Sequence, residues 1–257
     1  VPQVPAATRA LRVLRFLASQ PAPVPLAHVA QALDLPRSSA YHLLAAMAEE
    51  GFVTHLADEH RWGLGVAAFE VGSGYVRQEP LQRLARRPLA SLVDRTGQSA
   101  HLAVLHGRDV LYLLEERAPG RPPLVTDVGV RLPAHLPASG RALLAALPPA
   151  QVRALYPDAA AFTSRTGTGP TTPGRLRALL TDTRQRGWAG EEGEITPGLA
   201  GVAAPVLDHN GLPVAAVALT FVPGEDEAAH LASEVLRTTT LLTRRLGGRP
   251  AAEMLAP

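Results

Sequence analysis

The stretch Leu26–Leu44, LAHVAQALDLPRSSAYHLL, reads as two short amphipathic helices joined by a tight turn. Leu26, Val29, Ala30 and Leu33 stand at i, i+3, i+4 and i+7, the spacing that gathers an apolar stripe on one helical face. A reversal follows at Asp34-Leu35, and Pro36 suits the first position of a new helix, where a missing N–H costs nothing. In that second helix Ala40, Leu43, Leu44 and Met47 repeat the apolar spacing. Ser38, His42 and Ala45 then fall on the opposite face, flanked by Ser39 and Tyr41, with Arg37 at the tip. Small polar groups and one ring near a helix N-terminus suit the major groove of DNA, while the free N–H groups there favour phosphate. The alternative from these residues alone is a generic helical hairpin followed by a surface β-hairpin.

Just downstream, GFVTHLADEHRWGLG (51–65) supplies Phe52-Val53-Thr54, a polar turn at Asp58-Glu59, and Arg61-Trp62, the pattern of a two-stranded wing. Upstream, residues 8–19 form an amphipathic opening helix with Leu11, Leu14 and Leu17 or Ala18 inward, and QPAPVP (20–25) reads as a rigid connector. Over residues 1–62, Arg9, Arg12, Arg15, Arg37 and Arg61 balance Asp34, Glu49, Glu50, Asp58 and Glu59. Affinity for DNA must therefore come from local placement. Arg9 and Arg12 on the opening helix, Arg37 on the second helix of the pair and Arg61 on the wing are the expected phosphate contacts; the alternative for each is a solvated surface arginine.

A length of 257 residues exceeds the usual single domain and predicts two, each with its own core. Cysteine is absent, as are a secretory apolar segment and any apolar run of membrane length, so a cytoplasmic protein without a membrane partner is expected. All 25 basic residues are arginine, which fits a GC-rich genome. The isoelectric point of about 9.5 accompanies a formal charge of only +2, because without Lys or Cys few groups titrate between His and Arg.

Beyond the wing, GLGVAAFEVGSGYV (63–76) reads as a linker helix anchored by Val66, Phe69 and Val71, with glycines that weaken it. Leu81–Asp94 is amphipathic. The pattern then switches to strands at Ser99–His106 and Val110–Glu115, separated by Gly107-Arg108-Asp109, and at Leu124–Val128, Gly201–Leu207 and Pro213–Val222. The last two flank Asp208-His209-Asn210-Gly211, where Asn-Gly is a strong turn pair. Helices are expected at Gly140–Leu147, Gln151–Tyr156, Pro173–Arg186 and Glu225–Leu246, which makes the second domain an α+β sheet with helices around it. TSRTGTGPTTP (163–173) is a low-complexity loop without phosphate-loop spacing.

Ordered motifs carry a resemblance over residues 8–247. LPRSSAYHLLAAMAEEGFV, RWGLGVAAFEVGSGY, LPAHLPASGRALLA, RGWAGEEGEITPGLAGVAAPVLD and PVAAVALTF resemble, in order and approximate spacing, the IclR family of transcriptional regulators. The resemblance implies a winged helix-turn-helix domain over 1–63, a linker helix over 64–80 and a GAF-like effector-binding domain over 81–257, with an antiparallel sheet flanked by helices. It also implies a homodimer or dimer of dimers on palindromic double-stranded operator DNA, responsive to a small-molecule effector. Two departures stand in the first domain: Asp34 replaces the glycine frequent in the turn, and His42 replaces the arginine of many relatives, which predicts a different base preference.

By the same resemblance, to members that bind small carboxylates, Ala138, Ser139, Gly140, Glu191, Gly201, Ala218 and Thr220 are the expected effector-binding positions. Ser139 and the N–H groups of a helix start, with Arg141 close by, form an anion site on physical grounds. Gly201 and Ala218 stand where some relatives place Cys and Ser, so a wider, less polar cavity and a larger aromatic or branched acid are expected, the alternative being small residues that relieve packing. Glu191, in the run Glu191-Glu192-Gly193-Glu194, either accepts hydrogen bonds from a ligand or sits on a solvated loop. His101, His106 and His135 lack metal-ligand spacing, and no cofactor motif is present. No Cys nucleophile, Gly-x-Ser-x-Gly elbow or His-Glu-x-x-His occurs, so an enzyme is not expected. The competing readings are an effector-independent DNA-binding protein and a small-molecule-binding module without regulatory DNA binding.

Overall fold

The computed structural model describes residues 4–78, 80–121 and 124–250. The first three and last seven residues, which belong to the expected terminal domains, and residue 79 of the expected linker lie outside the described residues. The chain forms two compact units, residues 1–79 and 80–257.

The first unit runs α1 (Pro5–Ala18), β1 (Val24–Pro25), α2 (Leu26–Ala32), α3 (Arg37–Glu49), β2 (Val53–Leu56), β3 (Arg61–Leu64) and α4 (Val66–Gln78). Val13, Leu17, Val29, Leu44, Met47, Val53 and Trp62 close its core. Between α2 and α3 the chain reverses at Asp34, whose φ of 51° is left-handed, and Leu35 N–H returns to the Ala30 carbonyl at 2.9 Å. Pro36 does not begin α3. It precedes the helix with an extended ψ of 142°, and its carbonyl accepts the first helical bond, from Ala40 at 2.9 Å. The wing is as expected, but the connector before α2 also contributes to it: Val24 and Pro25 pair with Trp62 and Arg61, giving a three-stranded sheet in the order β1-β3-β2.

Two expectations for this unit need correction. α1 buries Val13 and Leu17, so Leu11, two residues off that stripe and rotated by about 200° from Val13, is 61% exposed. On α4, Val66 and Phe69 are 71% and 75% exposed and Val71 is exposed too, so among the described residues of the first unit they are not core anchors.

The second unit runs α5 (Pro80–Thr96), β4 (Ser99–His106), β5 (Asp109–Glu116), β6 (Arg131–Pro133), α6 (Ala138–Ala146), α7 (Pro149–Leu155), α8 (Pro173–Arg186), β7 (Ala189–Glu192), β8 (Ala200–Leu207), β9 (Pro213–Phe221) and α9 (Ala228–Arg245). Its antiparallel sheet has the order β6-β5-β4-β9-β8-β7. Strand alternation sorts the two faces. Val202, Ala204, Val217 and Leu219 pack toward α5 and α9, while Ala203, Ala216 and Ala218 pack toward α6 and α8. The row of alanines on the second face lets α6 approach the sheet closely. This is the α+β, two-sided antiparallel sheet that the pattern predicts.

Leu124–Val128 is not a strand. It is irregular chain, turning at Asp127 and Gly129 and burying Thr126, while the short strand that pairs with β5 lies later, at β6. β7 went unanticipated because AGEE has little strand propensity; it is held at the sheet edge by pairing with β8. α6 starts at Ala138, two residues ahead of Gly140, because Pro137 takes the extended position before it. Among the described residues no helix is long and apolar enough to cross a membrane.

Candidate nucleic-acid interface and ligand cavity

In the first unit, α3 displays Arg37, Ser38, Ser39, Tyr41 and His42 to solvent. Ala40 and Leu44 hold its opposite face in the core. No side chain caps α3, so its first-turn N–H groups keep their full capacity for an anion. Rings join this helix to the wing. Tyr41 meets Trp62 edge-on with centroids 6.2 Å apart, and His55 of β2 stacks on Trp62 at 4.3 Å. The part of His55 in this surface was missed because strand alternation alone gave no sign of it. Arg9 and Arg12 are exposed on α1, and with Arg37 they form no ion pair among the described residues. Arg61, the expected phosphate contact of the wing, is exposed, and its Nη1 donates to the Pro23 carbonyl at 2.9 Å, which ties wing to connector.

In the second unit, Ala138, Ser139, Glu191, Gly201, Ala218 and Thr220 line one cavity between α6, the sheet and the segment 124–126. Gly140 does not. It lies against the preceding turn, where a Cβ would meet the Ala134 carbonyl oxygen at 2.0 Å, so its role is close packing. Arg141 also departs from expectation. Its guanidinium is buried and each nitrogen is engaged, with Nε on the His135 carbonyl at 3.0 Å, Nη1 on the Gly190 carbonyl at 2.9 Å and Nη2 on Glu194 at 2.8 Å. The anion-attracting groups left at this end are the uncapped first turn of α6 and the Ser139 hydroxyl.

Sequence reasoning missed further lining residues, Tyr112, His101 and Thr126 among them. Tyr112 of β5 shares a hydrogen bond with Ser139, oxygen to oxygen 3.1 Å, and burial, with the nearby Glu191 charge adding to it, pushes its phenol up to about 12. His101 of β4 shares a hydrogen bond with Thr126 Oγ1, at 2.9 Å, so the irregular 124–128 segment is tied over the cavity through a buried histidine. Behind it, His101 at 3.8 Å and Arg117 at 2.9 Å hold the Glu115 carboxyl down to about 2. His135 instead packs against Tyr156 and Phe162, and His106 is exposed. Among the described residues no group of His, Asp and Glu is placed to hold a metal ion.

The widening expected at Gly201 is filled. A Cβ there would come 3.0 Å from Glu191 Oε1, so the glycine makes room for the glutamate, not for ligand. Glu191 accepts from the Glu194 N–H at 3.2 Å, and burial, reinforced by the Glu194 charge, raises its carboxyl to about 7. Within the cavity the centres of water-sized molecules reach about 30 Å³. That is space for roughly two or three waters. A compact ligand fits this arrangement better than the larger acid expected from composition at Gly201 and Ala218.

Residues 6–57 match the family description "IclR helix-turn-helix domain", and residues 73–239 match "Bacterial transcriptional regulator IclR C-terminal". The chain is 34% identical to the glycerol operon regulatory protein of Streptomyces coelicolor, over 82% of each chain. It is 28% identical to the transcriptional repressor IclR of Escherichia coli, over 96% of this chain and 91% of that one. The crystal structure of the Thermotoga maritima IclR superimposes with a TM-score of 0.66 at 25% identity, covering 95% of this chain and all of that one.

Proposed function

The chain belongs to the IclR family of DNA-binding transcriptional regulators, and on that premise we propose that it is a one-component switch in which a small organic acid, bound in the second unit, changes operator affinity. The observation that carries this reading is the uncapped first turn of α6, opening with the Ser139 hydroxyl into a cavity. Backbone N–H groups and the helix dipole there suit a carboxylate, while Glu191, which lines the same cavity, accepts a hydrogen bond from a hydroxyl or amino group of the same ligand. In the first unit, Ser38, Ser39, Tyr41 and His42 read base edges from α3, and Arg9, Arg12 and Arg37 meet phosphates, with Arg61 holding the wing in place. Two such units related by a two-fold axis read inverted half-sites about 34 Å apart. The exposed apolar residues of α1 and α4 support a homodimer, and pairing of dimers gives the tetramer.

Fluorescence anisotropy on DNA from upstream of the chain's own gene tests this, in the presence and absence of small hydroxy and keto acids. An active acid changes operator affinity at least fivefold, and operator DNA changes affinity for the acid by the same factor, as linkage requires. The double variant Ser38→Ala/His42→Ala binds operator and scrambled DNA alike while melting normally. If no acid alters binding, the protein is an effector-independent DNA binder; if the double variant keeps its preference, base readout lies elsewhere.

A further inference from the structure

A second cleft lies in the second unit between α7 and α8, separate from the cavity that receives α6. Its floor is apolar: Leu176 and Leu180 are fully buried and Val152 is partly so. Its rim carries three guanidinium groups, from Arg153, Arg177 and Arg184, and among the described residues no carboxylate lines it. Elsewhere in the same unit, Arg95, Arg117, Arg121, Arg141, Arg186 and Arg237 are each paired with an acid, while others, Arg131 and Arg175 among them, form no ion pair among the described residues, so it is the grouping of three around one apolar floor that sets the cleft apart. Arg153 and Arg177 form no ion pair among the described residues, and Arg184 commits only Nε, to the Ala145 carbonyl at 2.7 Å. Unneutralised charge gathered over a buried apolar floor is a different arrangement from scattered surface arginines.

We propose that this cleft is a second ligand site, for a compact amphipathic carboxylate with a ring or branched hydrocarbon body. The guanidinium fork matches a carboxylate in two parallel hydrogen bonds, and burying the hydrocarbon part against Val152, Leu176 and Leu180 supplies apolar transfer energy. The space that water-sized molecules reach is about 70 Å³, against about 30 Å³ in the α6 cavity, so the cleft takes a bulkier body than that cavity does. Arg184 fixes α8 to the last turn of α6, so the walls are set by the same framework that shapes the first cavity.

Titration of the full chain with benzoate and isovalerate, followed by methyl NMR and calorimetry, tests the assignment. At least one of the two acids saturably shifts the methyl signals of Val152, Leu176 and Leu180, and benzamide, which lacks the charge, binds there at least fivefold more weakly than benzoate. Arg153→Ala/Arg177→Ala weakens this binding at least fivefold. Val152→Phe, which fills the cleft without altering charge, blocks it while leaving the melting temperature and the signals around Ala138 unchanged. Neither acid moving those methyls, benzamide matching benzoate, or unchanged affinity in the arginine variant each overturns the site. None of these readouts depends on the α6 cavity or on operator binding, so a failure there leaves this result interpretable.

Discussion

Glu191 places its carboxylate in the space a side chain at Gly201 would take, beside Glu194, while Arg141 gives its ion pair to Glu194. Burial and that neighbouring charge lift its pKa to about 7 from an ordinary 4.5, so the folded chain holds a proton that the unfolded chain has released. Stability from this residue is therefore greatest below about pH 4.5 and falls as pH rises toward 7. Glu191→Gln removes the dependence. Compared with the parent by urea unfolding, the variant is equal near pH 4.5 and more stable by about 2 kcal/mol at pH 8, after discounting for partial exposure. A difference that stays constant with pH would show that Glu191 titrates normally. At this scale the sequence is legible where resemblance supplies positions, as at Ser139, Glu191 and Thr220, which do meet in one cavity. It is not legible where a side chain's partner comes from far along the chain. Arg141 reads locally as a cation at a helix start, and only the fold brings Gly190 and Glu194 to engage both of its terminal nitrogens.

Asp34 shows the same division within an element. Two apolar stripes and an intervening break are local information, so α2 and α3 are readable from periodicity, and the left-handed φ of 51° follows from the need to reverse the chain in two residues. Asp tolerates that conformation better than other residues with a Cβ, yet less well than glycine. Asp34→Ala is therefore expected to destabilise the first unit by about 1 kcal/mol, and Asp34→Gly to hold or raise its stability. The two tryptophans lie in different units, so Trp62 fluorescence in a Trp188→Phe background reports this unit alone. Equal midpoints for the alanine and glycine variants would mean that the turn carries no strain. Elements held by long-range pairing are less legible. β1, β6 and β7 are short and contain proline, glycine or acids, and each exists because a neighbouring strand offers hydrogen bonds. LVTDV (124–128) has the composition of a strand but lies over the cavity, with Thr126 on His101.

At the scale of the molecule, the division into two kinds of unit is readable because each carries its own periodicity, helical with a wing first and strand-rich afterwards. What the apolar residues face is not. Val66 and Phe69 stand at i and i+3 on α4, and Leu11 lies off the buried stripe of α1; a pattern reading puts all three inward, and the fold leaves all three in water. Apolar side chains exposed on consecutive turns of a helix mark a surface for association. In the proposed dimer on a two-fold operator, a second copy of the first unit covers this face, since each α3 then reaches one half-site. Phe69→Glu buries a charge in that interface and costs several kcal/mol of association, so sedimentation at micromolar concentration should shift the chain from dimer or tetramer toward a smaller species. Operator affinity should fall by at least a hundredfold in the same variant while single half-site binding stays unchanged, because α3 itself is untouched. If Phe69→Glu sediments like the parent and binds the full operator as well, α4 is not the dimer contact.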